Sequence, residues 1–136
     1  LSMTLKSTEL AAFERNVEAG NRIREIFILN PDISELYERG LESYTDLSGS
    51  DKLRFGMVLS NVFSAFQGAY IRQLTYSNDP DKFSGSERLL DSYIKSPGVR
   101  QWLDAADRDW RPQFAAIVQQ RVQMFEDATE KATVDG

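Results

Sequence analysis

Apolar residues recur at intervals of three and four along most of the chain, the spacing that places them on one face of an α-helix. No segment shows the strict alternation of apolar and polar residues that is typical of a β-strand. The pattern therefore predicts an all-α fold. About five or six helices are expected to form a single-domain bundle around a long central helix over residues 1–136, with fraying at 1–7 and 129–136.

Capping residues and prolines mark the ends of the predicted helices. Asn30 ends the first helix and is expected to cap the second, which begins at Pro31, because proline fits the first helical position. Ser96 and Pro97 repeat this arrangement, and Pro112 begins the last helix. The first helix is expected to begin at Ser7 or Thr8, with Thr8 as its N-cap, and the helices to span about 7–29, 31–44, 48–76, 86–95, a short segment from 97, and 112–128.

The third predicted helix is the longest and is expected to be the centre of the bundle. Ser48 and Asp51 have the spacing of a capping box at its start. Large apolar side chains form two neighbouring rows along it, and small residues form a shallow groove beside them. Such a groove favours close packing of another helix, most simply from the same chain and alternatively from a partner. The large rows are Phe55, Leu59 and Phe63, and Val58, Val62, Phe66 and Tyr70; the small residues are Gly56, Ser60, Ser64 and Gly68.

The composition excludes several classes of function. The net charge is −5 and acidic residues interrupt the basic ones, so nucleic acids and anionic membrane surfaces are not expected partners. Without Cys or His, the chain can form no disulfide, thiolate nucleophile, imidazole base or Cys/His zinc site. No apolar run approaches the roughly 20 residues that span a bilayer.

Paired carboxylates are the first candidates for chemistry. Glu35 with Glu38, and Asp104 with Asp107, have spacings that suit acid–base catalysis or a hard cation. Both pairs lie on helix faces predicted to be exposed, where solvated acidic residues are common. We therefore predict no catalytic residue, metal or cofactor.

A tryptophan–arginine cluster is the second candidate. Trp102 and Trp110, with Arg100, Arg108 and Arg111, would frame a patch for an anion or a peptide, although core packing explains the same residues more simply. On the central helix, Asn61 lies between apolar neighbours and is expected to be partly buried, where it would need hydrogen-bond partners. The partner-binding candidates are Arg54, Asn61, Tyr70, Arg100, Trp102 and Trp110.

Several short signals occur in an order that resembles a known family. They are Leu36-Tyr37 with Gly40, Leu47-Ser48, Arg54-Phe55, Phe66 with Tyr70, Pro97-Gly98-Val99-Arg100 with Trp102, and Phe114 with Val118. The family they resemble is a bacterial one of small all-α domains, often preceded by one transmembrane helix and without an established activity. The resemblance covers residues 30 to about 122, and no catalytic residue carries over.

Two positions depart from that family's pattern. Gln67 stands where a Glu is expected, which removes an acid–base group, and Arg111 stands where a Ser or Thr cap is expected. The resemblance implies that an anchoring helix preceded Leu1. It also implies a location in the bacterial cytoplasm or at the cytoplasmic face of the inner membrane, with the periplasm left open.

The sequence therefore predicts a non-enzymatic interaction or sensing module whose partner is another protein or a second copy. Two alternatives stay open. One is a hydrolase or lyase that uses carboxylates and Tyr70 with Mg²⁺, and a deep pocket with converging carboxylates would favour it. The other is a binder of small apolar ligands, which requires a cavity inside the bundle. A flat apolar patch would favour the interaction module.

Overall fold

The chain folds as an all-α bundle in a computed structural model that describes residues 7, 11, 14, 18, 21–76, 84–105 and 108–135. Regular structure in this part of the chain is entirely helical, which confirms the predicted fold class. Thr8, the predicted first cap, lies outside the described residues. The helices are α1, described continuously over 21–29, α2 (Pro31–Glu42), α3 (Gly49–Tyr76), α4 (Ser84–Ile94), α5 (Pro97–Ala105) and α6 (Pro112–Asp135).

The long central helix is confirmed as α3, and its two apolar rows supply much of the core. Phe55, Leu59 and Phe63 are fully buried, and Val62 and Phe66 nearly so. Each such side chain contributes roughly 1.5–3 kcal/mol when it leaves water. The other helices and the α2–α3 loop complete the core with Leu36, Leu47, Leu90, Ile94, Val99, Trp102, Phe114 and Val118.

Prolines begin three helices as predicted, but Asn30 does not cap α2. Its side-chain amide Nδ2 instead donates to the carbonyl oxygen of Ile26, 3.0 Å away, near the end of α1. The last carbonyls of a helix have no partner within it, and one residue joins α1 to α2, so the same side chain is in reach of both ends. In this structure the Asn30 side chain binds the α1 carbonyl oxygen.

A capping box consists of two hydrogen bonds, and the start of α3 forms the first of them. The Ser48 hydroxyl accepts the backbone N–H of Asp51 at 3.2 Å. The Asp51 carboxylate lies 3.4 Å from Arg39 of α2, where it forms an ion pair between the helices. The Asp51 side chain, which is shorter than the Glu or Gln preferred at this position, thus pairs with a neighbouring helix.

The closest approach of two helices lies between α2 and α5, rather than along the small residues of α3. A Cβ atom added to Gly98 would overlap the backbone of Gly40. On α3, Gly56 accommodates the Trp102 indole, whose Nε1 would lie 3.2 Å from an added Cβ, while Ser60 and Ser64 are exposed. The small row therefore receives one side chain from α5, and its middle faces solvent.

The last helix, α6, continues to Asp135, past the Ala128 after which fraying is expected. All described side chains from Glu126 onward are exposed. Among the described helices, none has both the length and the apolar character needed to cross a membrane.

Candidate functional site

The two tryptophans lie together, as the predicted patch requires, but one of them belongs to the core. Their ring centroids are 6.3 Å apart, and Trp110 stacks on Phe63 at 5.4 Å with an interplanar angle of 15°. Trp102 is only 2% exposed, whereas Trp110 is half-buried at the margin. Core packing therefore accounts for Trp102, and a ligand would reach the edge of the cluster.

The three arginines near the tryptophans have separate roles. The Arg100 guanidinium donates to the Ile94 carbonyl oxygen at 2.6 Å and lies 4.4 Å from the ring centroid of Phe125. Arg100 thus ties α5 to the end of α4 and to α6. The side chain of Arg111 is exposed, while its backbone N–H donates to Gln67 Oε1 at 2.8 Å.

The contact between Gln67 and Arg111 joins α3 to the start of α6. Arg111 immediately precedes α6, and its own carbonyl accepts the N–H of Ala115 at 3.0 Å. Because a side-chain oxygen from α3 accepts the N–H of Arg111, a neighbouring helix helps to satisfy the start of α6. Gln67 is therefore used structurally, as a hydrogen-bond acceptor.

Arg108 is the arginine that stays with Trp102. Its guanidinium carbon lies 3.8 Å from the indole centroid, and Nη2 donates to the Trp102 carbonyl oxygen at 2.6 Å. Its Nε is buried, and no described residue accepts a hydrogen bond from it. Burial lowers the pKa of Arg108, and the nearby Tyr44 partly offsets that effect. The result is a cation held over an aromatic ring at the edge of the core.

Arg108 faces a groove of about 400 Å³ beside the first half of α3, which we name the α3 groove. Among the described residues, the side chains that line it include two cations, Lys52 and Arg108, and no carboxylate. Lys52 Nζ lies 5.7 Å from the ring centroid of Tyr44, so the tyrosine interacts with both cations. The full lining is Tyr44, Gly49, Lys52, Leu53, Gly56, Met57, Ser60, Trp102 and Arg108.

Two apolar side chains form the lip of the α3 groove. Leu53 and Met57 are 65% and 62% exposed, and their i, i+4 spacing places them next to each other on α3. Neither belongs to the two predicted apolar rows. Single exposed apolar residues are ordinary, but this pair borders a concave, cationic surface.

A second groove, of about 500 Å³, lies between α5 and α6. Arg108 lines this one too, together with the half-buried Trp110. Here, however, Asp104 and Glu126 offset the positive charge. Although it is larger, we consider it the weaker candidate, because two carboxylates and one cation line it, and none of the large apolar side chains that are exposed in the described part of the chain does.

The remaining predicted partner-binding residues lie in different surroundings. Asn61 is exposed, so the expectation of partial burial is wrong; it follows Met57 by one turn on the same open face. Arg54 is exposed and does not line the α3 groove. Tyr70 is half-buried, with its ring centroid 6.2 Å from that of Phe114.

Sequence reasoning missed Tyr44, Lys52, Leu53 and Met57. The spacing of Leu53 and Met57, away from the core rows, is the signal that would have revealed an exposed apolar face. The two cations lie far apart in sequence and meet only through the fold.

The predicted carboxylate pairs lie at the surface as far as the structure describes them. Glu35, Glu38 and Asp104 are exposed, and Asp107 lies outside the described residues. Within the described part of the chain, no group of three or more acidic side chains is placed to hold a metal ion.

Comparison with known proteins adds no relative from which a function might be transferred. No protein-family model, no curated protein and no solved structure matches the chain. The resemblance described above stays a prediction, and the grooves are the basis for a functional proposal.

Proposed function

We propose that this chain is a non-enzymatic helical module that binds a protein partner through the α3 groove. The observation that carries the proposal is the exposure of Leu53 and Met57 beside a concave surface floored by Gly56 and Trp102. Covering two such side chains removes apolar surface from water, which is the main favourable term in most protein association. The rigid core beneath them keeps this surface preformed.

The groove supports binding better than the carboxylate-dependent alternative. A hydrolase or lyase of that kind needs converging carboxylates, and no described carboxylate lines the α3 groove. Both grooves lie at the surface, whereas a binder of small apolar ligands needs a cavity inside the bundle. The open apolar lip is the feature expected of an interaction module.

The resemblance over residues 30 to about 122 supports a finer proposal about location. We propose a bacterial module at the cytoplasmic face of the inner membrane, joined to an anchor in the full-length protein. Expression of the full-length gene product with fractionation of membranes tests this, and recovery in the soluble fraction alone would contradict it.

Site-specific photo-crosslinking in cells tests the binding surface. We expect a crosslinkable amino acid at Met57 to capture a defined protein that one at Gln120, which is exposed on α6 and lines neither groove, does not capture. The captured protein is then purified and titrated with the wild type and with Leu53→Ser and Met57→Ser. Each substitution is expected to weaken binding about tenfold, the loss that corresponds to part of a buried side chain.

Two results would contradict the proposal. One is equal capture, or no capture, at Met57 and Gln120. The other is a captured protein whose affinity is unchanged by both substitutions while each variant keeps the helical signal of the wild type.

A further inference from the structure

We infer that the occupant of the α3 groove is an acidic amphipathic helix supplied by a partner protein. This inference rests on the proposed function, because it names the chemistry of the partner for the same groove. It depends on the charge of the groove, on the hydrogen-bonding capacity of Arg108 and on the shape of the exposed face of α3.

The charge of the groove is opposite to that of the chain. The chain as a whole carries −5, yet the charged side chains that line this groove in the described part of the chain are the cations Lys52 and Arg108. Asp51, the sequence neighbour of Lys52, is paired with Arg39. A cationic groove in an acidic protein favours an anionic segment and disfavours a basic one, since charge complementarity sets specificity at interfaces.

Arg108 has hydrogen-bonding capacity for an added carboxylate. A guanidinium has five N–H donors, and the bond to the Trp102 carbonyl uses one of them. Stacking on the indole holds the guanidinium plane in place, so little side-chain freedom is lost when an acceptor arrives. A carboxylate is the acceptor that matches this planar fork best.

The shape of the site favours a helix over an extended peptide. Leu53 and Met57 form an i, i+4 ridge, and the exposed Ser60 and Ser64 that follow let a second helix approach closely. From Gly49 to Ser60 the groove follows α3 for roughly 16 Å, or about three helical turns. An extended peptide would pair with a strand edge, and the described residues contain no strand.

Synthetic helical peptides test the inference. We would use a hydrocarbon-stapled peptide of about 18 residues, a length that holds a helix when stapled, with leucines at i, i+4 and i+7 and glutamates along one edge. Its matched partner carries lysine at every glutamate position. We expect the acidic peptide to bind about tenfold more tightly by isothermal titration calorimetry at low salt, and the difference to shrink as salt screens the charges.

Variants locate the effect in the groove. Lys52→Glu is expected to weaken binding of the acidic peptide about tenfold, and the neutral Lys52→Gln about threefold. Arg88→Glu, an exposed charge reversal on α4 outside the groove, should leave binding unchanged. If circular dichroism shows that Lys52→Glu lowers the helical content, the loss of binding in Lys52→Gln is the result that tests the role of the Lys52 charge.

Each other outcome overturns the inference. An acidic peptide that binds no better than the basic one, or fails to bind at about 1 mM, rejects an acidic helix as occupant. Such a result leaves the crosslinking at Met57 intact, so the two proposals fail separately. Self-association of the wild type that Lys52→Gln abolishes in sedimentation would show that a second copy occupies the groove. Equal effects of Lys52→Gln and Arg88→Glu would place the binding site elsewhere.

Discussion

Gly98 in α5 lies so close to α2 that a Cβ atom at this position would overlap the carbonyl oxygen of Gly40. The Leu41 carbonyl oxygen would also lie 2.9 Å from that atom. Neither glycine has a positive φ, so the requirement for glycine is steric rather than conformational. The crossing of α2 and α5 therefore depends on Gly98, whereas the missing side chain of Gly40 leaves room for the Phe55 ring of α3.

A methyl group at Gly98 is therefore expected to force the two helices apart. We expect Gly98→Ala to lower the free energy of unfolding by roughly 3 kcal/mol, at the upper end for overpacking, because backbone atoms rather than a flexible side chain would have to move. Urea denaturation followed by circular dichroism measures this. Gly49→Ala is the matched control, since an added Cβ there meets nothing within 4 Å, and it should change stability by less than about 0.5 kcal/mol. Equal effects of the two substitutions would contradict the close crossing.

Because of the hydrogen bond between Gln67 and Arg111, two substitutions of Gln67 are expected to differ in their effect on the free energy of unfolding. Gln67→Ala removes the acceptor for the backbone N–H and should cost about 1 kcal/mol. Gln67→Glu keeps an acceptor oxygen and should stay within about 0.5 kcal/mol of the wild type. Thermal and urea unfolding of both variants tests the pair. A Gln67→Glu variant as unstable as Gln67→Ala would show that the acceptor is not what stabilises this contact.

Arg121 of α6 joins two carboxylates of α4. Its Nη2 lies 2.6 Å from Glu87 Oε2 and its Nη1 lies 3.5 Å from Asp91 Oδ2, with only 22% of the arginine side chain exposed. Partial burial reduces screening by water, so we expect a coupling of about 1 kcal/mol between Arg121 and Glu87. A double-mutant cycle of Arg121→Met and Glu87→Gln measures it.

The exposed pair of Arg22 and Glu18 is the control for that cycle. Its nitrogen and oxygen are 3.6 Å apart, with side-chain exposures of 75% and 64%. The same cycle there should give about 0.3 kcal/mol or less, since solvent and salt screen such pairs. A coupling at Arg121 no larger than this would rule out a stabilising role for the α4–α6 ion pairs.

Tyr37 predicts how stability changes at alkaline pH. Burial raises the pKa of its hydroxyl above the ordinary value of 10, and the hydrogen bond to Tyr93 raises it further. Above pH 10 the unfolded chain releases this proton before the folded chain does, so the contribution of Tyr37 is complete below pH 10 and is lost as the pH rises beyond it. We expect the stability difference between wild type and Tyr37→Phe to narrow from pH 10 upward.

Urea midpoints of the two proteins at neutral pH and above pH 10 measure that narrowing. A constant difference across this range would mean that the Tyr37 hydroxyl titrates in the folded chain as it does in the unfolded one.

The helices and most of the core can be predicted from the amino-acid sequence, because both depend on local stereochemistry and periodicity. Pro31, Pro97 and Pro112 begin α2, α5 and α6, since proline needs no N–H partner in the first turn. The apolar rows from Phe55 to Phe66 are buried because they lie on one face of α3, and an amphipathic helix packs its apolar face against the core.

The hydrogen-bond partners of the polar side chains and the place where a partner can bind depend on how the helices pack. Asn30 binds back to α1, and Gln67 accepts from the start of α6, because those acceptors and donors come within reach only after the helices pack. Lys52 and Arg108 line one groove because α5 places Trp102 against Gly56 and the Arg108 guanidinium lies over the Trp102 ring. Periodicity places a residue on a helix face, but which face stays open depends on contacts between distant segments, and those contacts define the α3 groove.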